Sequence, residues 1–123
     1  MELVEFEQIA EDVYDSLPEG FKAKIDNLRI VVEELPDDEQ IGRVGATSRY
    51  SLLGLYQGVP LNHRTTAYGV YPIMPDTITL FKKNIESVAH QQSQIREKIR
   101  EVLVHEIAHY FGMSEEEIRR AGY

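Results

Sequence analysis

"VLVHEIAHYFGMSEEEI" runs from Val102 to Ile118 and contains His-Glu-x-x-His. On a helix, residues four apart project from one face, so His105 and His109 can grip one ion. Glu106 lies about 100° round from His105, within reach of a water beside that ion. A metal lowers the pKa of such a water, and a carboxylate can then take its proton. The spacing therefore accounts for the residue types and points to metal-assisted hydrolysis. The plainer account is a surface helix that happens to carry two histidines. Against it stands the stripe Ile99, Leu103, Ile107 and Tyr110 on the same helix. By helical rotation the histidine face lies beside this stripe, a border position that lines a cleft.

A hydrolytic zinc takes three protein ligands and keeps one position open. The chain continues for only 14 residues beyond His109, to Tyr123, so a third ligand far downstream on another helix is not expected. Gly112 lets the backbone reverse, and a residue three later can return to the metal. That residue is Glu115, with Glu116 or a water as alternatives. The plainer account of Glu115, Glu116 and Glu117 is acidic residues favoured by the dipole at a helix start. Ser114 and Glu117 read as a capping box that opens this last helix, which runs to about Arg120.

Upstream, no Gly or Pro interrupts Gln91 to Phe111, and Ile95, Ile99, Leu103 and Ile107 step by four, so one long helix is predicted there. The chain turns helical after Asn84. "DTITLFKK" is predicted as a strand, with Ile78 and Leu80 facing one way and Thr77, Thr79 and Phe81 the other. From Gln57 to Asp76 the prolines and glycines leave no helical period, and a loop of that length in a compact domain is usually functional or disordered. Leu52 to Tyr56 reads as a short strand, "PDDEQIG" as an acidic turn, and "NLRIVVEELP" as a strand ended by Pro36. Phe6, Ile9, Ala10, Val13, Tyr14 and Leu17 form the stripe of an amphipathic helix stopped by Pro18 and Gly20.

A length of 123 residues fits one domain, residues 1–123, and 42% hydrophobic residues suffice for one modest core. The net charge of -8 repels phosphate backbones and argues against nucleic acid as a partner. The chain has no cysteine, so a transition metal has to be held by His and carboxylates. No signal-peptide pattern and no membrane-spanning apolar run is apparent, and a cytoplasmic protein is expected.

"HEIAHYFGMSE" resembles the extended zincin signature HExxHxxGxx followed by His or Asp. It is most similar to the small bacterial minimal zincin-like metallopeptidases, a family long catalogued as a domain of unknown function and close to the Asp-zincin pattern. The segments "YDSLPEGF", "NLRIVVEELP", "LGLYQGVPL" and "PDTITLF" resemble that family in the same order, so the likeness covers most of the chain. It implies His105 and His109 as metal ligands, Glu106 as catalytic base and Glu115 at the third-ligand position. The family often has Asp there; Glu differs by one methylene, which changes reach but not ligand chemistry. The resemblance implies an α+β fold with a small, mixed, mostly antiparallel sheet on the long metal-bearing helix and the N-terminal helix behind. It also implies one zinc ion and a peptide or protein substrate. Zincins generally bind extended peptides along an edge strand, and Leu52 to Tyr56 is the candidate edge.

Other candidates have plainer accounts. His63, in the Pro-rich loop, could fold over the cleft, but a lone loop histidine is more often solvated. His90 precedes the long helix and reads as a surface residue. Tyr68, Tyr71 and Tyr110 could donate to an oxyanion, though Tyr110 adjoins the core stripe. Glu101, one turn before His105, could orient an imidazole or belong to a solvated rim. Met113 is expected to pack under the turn. The function expected is zinc-dependent peptide-bond hydrolysis. The alternatives are a non-catalytic metal-binding or partner-binding module on the same scaffold, and a hydrolase acting on something other than peptides.

Overall fold

The apolar stripe at the amino end forms α1 (Leu3–Asp15), which buries Phe6, Ile9, Ala10 and Val13. A computed structural model describes residues 1–58 and 76–122. After Pro18 comes a single helical turn, α2 (Glu19–Lys22), and then strand β1 (Leu28–Glu33). The segment expected as an acidic turn is instead a helix, α3 (Asp38–Val44). Asp37 caps it, accepting from the Gln40 backbone while the Gln40 side chain returns to the Asp37 N–H. Asp-x-x-Gln is thus a capping box, and it starts a helix that has no apolar stripe, since Gln40 is its one buried residue. Gly45, at φ 66°, ends it.

Among the described residues, strands β2 (Gly54–Gln57) and β3 (Asp76–Phe81) complete a three-stranded sheet in the order β1-β3-β2. β1 pairs parallel to β3 from Leu28↔Asp76 to Glu33↔Phe81, and β2 pairs antiparallel to β3 from Gly54↔Leu80 to Gln57↔Thr77. The sheet is mixed, as expected, but not mostly antiparallel: its longer ladder is the parallel one. β3 is the central strand. Thr79 and Phe81 are buried along with Ile78 and Leu80, so the strand is covered on both faces.

Helix α4 (Lys82–Val88) follows β3 without a loop and begins three residues earlier than expected. Its buried Asn84 amide donates to the carbonyls of Arg49 and Leu52, both at 2.7 Å, and so ties down the segment that leads into β2. Helix α5 (Gln92–Tyr110) packs on α1, β2 and β3. Its Ile99, Leu103 and Ile107 are fully buried among Phe6, Ile9, Ile78 and Leu80. Each such side chain contributes roughly 1.5–3 kcal/mol of transfer free energy.

The end of α5 is a Schellman turn. The Gly112 N–H donates to His109 O at 2.8 Å and the Met113 N–H to Ala108 O at 3.0 Å. Gly112 sits at φ 91°, where a side chain is strained. Helix α6 (Glu115–Arg120) then starts at Ser114, whose hydroxyl accepts from the Glu117 N–H while the Glu117 carboxylate accepts from the Ser114 N–H. No helix among the described residues is long and apolar enough to cross a membrane.

Candidate metal centre

His105 and His109 project from α5 beside its core stripe, with side chains 30% and 24% exposed. The Schellman turn brings the chain back so that α6 opens against this face. Glu115 Oε1 lies 3.0 Å from His105 Nε2 and 2.7 Å from His109 Nε2. All three donor atoms fall within 4.8 Å of one another. Ligand atoms on one tetrahedral zinc stand roughly 3.3 Å apart, as follows from metal–ligand distances of about 2.0 Å, so this donor set fits such an ion.

The orientation of His109 fits as well. Its Nδ1 lies 3.0 Å from the Met113 carbonyl oxygen. A carbonyl can only accept, so Nδ1 carries a proton, and Nε2 is the ring atom directed to Glu115 and the shared space. The contribution of Met113 to the site is thus its backbone, through the same turn that Gly112 permits.

Glu106, one residue on from His105, faces inward and is 9% exposed. Its Oε1 accepts from the Tyr56 N–H of β2 at 3.0 Å. Burial pushes the Glu106 carboxyl above its ordinary value of 4.5; the imidazoles of His109 and His105 and the Tyr56 N–H pull it the other way without prevailing. A carboxyl so placed is a stronger base than an exposed one. The Glu115 carboxyl is also raised by burial, but hydrogen bonding to His105 and His109 outweighs this and holds it below 4.5.

The site opens into a broad cleft of ≈ 1530 Å³ between α5 and β2. Leu17, Pro18 and Phe21 supply apolar wall, as do Leu52 and Leu53. Among the described residues, β2 lies at the sheet edge beside this cleft. The Phe81 N–H donates to Leu53 O at 3.0 Å. In an antiparallel ladder the pairing residues alternate, so Gly54 and Tyr56 turn their backbone groups away from β3. A Cβ on Gly54 would stand 2.5 Å from Val102 Cγ1 and 3.5 Å from Glu106 Cγ. Glycine there is what lets β2 approach α5 closely enough for Tyr56 to reach Glu106.

The remaining candidates separate clearly. Glu101 pairs with Lys98 at 2.8 Å on the cleft rim. His90 is exposed. Tyr110 is fully buried, and its hydroxyl bridges the backbone N–H and carbonyl of Asp26 at 2.8 and 2.7 Å, so it pins the turn before β1. His63, Tyr68 and Tyr71, with most of the Pro-rich loop, lie outside the described residues. Sequence reasoning missed the Tyr56 N–H, the Met113 carbonyl and Asn84. Backbone groups leave no residue signature, and a buried Asn reads like any polar residue. Gly54 did carry a signal, since a glycine inside a strand marks a close approach.

A family model described as zincin-like metallopeptidase matches residues 25–123. No curated protein matches the chain.

Proposed function

The chain belongs to the zincin-like metallopeptidases, whose members carry a metal, typically zinc, and from that premise we propose that it hydrolyses peptide bonds with one zinc held by His105, His109 and Glu115. The observation that carries the reading is the convergence of these three donor atoms on a cleft wall next to a buried, raised carboxyl. Zinc would supply Lewis acidity, lowering the pKa of a water and polarising the scissile carbonyl.

The chain's own groups would do the rest. Glu106 takes the proton of the attacking water and passes it to the departing amine. The Tyr56 N–H occupies Oε1, which fixes the carboxylate plane and leaves Oε2 for the proton. The Met113 carbonyl holds His109 in the tautomer that ligates through Nε2. An extended peptide would lie along β2, pairing with the outward backbone groups of Gly54. We place the catalytic unit over residues 1–123 and its action in the cytoplasm, in keeping with the acidic, cysteine-free composition.

Elemental analysis and a broad peptide library test this reading. Wild type is expected to hold one zinc per chain and to cleave; Glu106→Gln is expected to hold zinc and lose roughly 10²–10⁴-fold in rate. A wild type that binds zinc stoichiometrically yet cleaves nothing that Glu106→Gln spares would instead establish a non-catalytic metal-binding or partner-binding module.

A further inference from the structure

Of the six residues of α6, five are exposed and one, Ile118, is fully buried. Residues three apart on a helix share a face, so Glu115 and Ile118 lie one above the other. Burial of Ile118 therefore sets the rotation of α6, and that rotation turns Glu115 toward α5. Its neighbours are turned elsewhere: Glu116 pairs with Arg120, and Glu117 closes the capping box on Ser114. The Schellman turn fixes the chain as far as Met113. Beyond it, Ile118 is the one α6 side chain seated in the body of the protein.

We infer that Ile118 is a positioning residue for the metal: it holds the third ligand at the histidine pair without touching the ion. The inference rests on the reading of Glu115 as a zinc ligand. Of the three ligands, His105 and His109 belong to a long helix rigidly packed in the core. The third sits on a short arm with a single apolar anchor. A shorter side chain at 118 leaves α6 free to shift and rotate, so that Glu115 no longer meets both imidazoles. Supporting groups around metal ligands typically govern affinity by 10–100-fold.

The test is zinc affinity by competition with a chromophoric chelator, with folding followed in the amide NMR spectrum. Ile118→Ala is expected to weaken zinc binding by about 10–100-fold. In a Glu115→Ala background the same change is expected to have no further effect, because the ligand it positions is gone. Ile118→Val should recover most of the affinity. Ile9→Ala, a core truncation in α1, should lower stability and leave affinity unchanged. Should Ile118→Ala not fold, Ile118→Val and Ile118→Thr carry the comparison, with affinity falling in the order Ile, Val, Thr. Unchanged affinity across the folded Ile118 variants, or equal losses with and without Glu115, overturns the inference alone. A wild type that binds no zinc overturns the metallopeptidase reading beneath it.

Discussion

Glu115, Glu116 and Glu117 are identical residues in succession with three different surroundings. Glu115 meets both imidazoles, Glu116 pairs with Arg120, and Glu117 caps the helix that carries all three. Helical rotation of about 100° per residue separates them, and Ile118 fixes its phase. Sequence reasoning reached Glu115 by counting from Gly112 but had no means to dismiss Glu116. The arbiter, an apolar residue three positions beyond the ligand, was in the sequence. Glu115→Ala should weaken zinc binding by orders of magnitude, and Glu116→Ala should leave it within about twofold, because an exposed i,i+4 pair is worth only about 0.3–0.5 kcal/mol. Chelator competition on the two variants checks this; equal losses would move the ligand assignment.

Among the elements, α5 and β2 form the cleft, and α6 brings Glu115 to it. Gly54 lies close against Val102 of α5, and its replacement has a specific cost. In Gly54→Ala the new methyl meets Val102, whose branched side chain has little rotamer freedom. We expect a loss of about 1–3 kcal/mol in urea unfolding, partly restored in the Gly54→Ala/Val102→Ala double variant. If the losses of the single variants simply add, the close approach is not their cause. The edge of β2 that turns away from β3 makes a second prediction. A bound, non-cleavable peptide should slow hydrogen exchange at the Gly54 amide, whereas the Tyr56 amide is already engaged by Glu106. Absence of protection at Gly54 would argue against strand addition here. The long helices and both long strands were legible because their apolar residues repeat with a clear period. α3 was not, since it buries no apolar stripe and announces itself only through Asp37 and Gln40.

For the molecule as a whole, periodicity identified β1 and β3 but could not say that they run parallel. Register and direction depend on what lies between strands and on both faces of β3, which no local pattern records. Charge placement is also a property of the assembled fold. Glu86 is raised by burial, yet the hydrogen bonds from Lys82, at 3.0 Å, and from the terminal amino group of Met1 prevail and hold it below 4.5. A carboxyl depressed on folding adds stability that is complete above its unfolded value and fades as pH falls below about 4.5 toward the folded one. Glu86→Gln should therefore cost about 1 kcal/mol at pH 7, and its gap from wild type should close in more acidic buffer. A gap that persists at pH 2 would contradict the ion-pair account. The strand order β1-β3-β2 has a consequence in time as well as space. Neither β1 nor β2 pairs with the other, so both wait for β3, which is synthesised after them. The Tyr56 N–H likewise waits for Glu106, fifty positions further along the chain. Loops must close before such distant pairings are rewarded, so the wall of the cleft, unlike the helices beside it, gains nothing from local chain order and forms only with the assembled core.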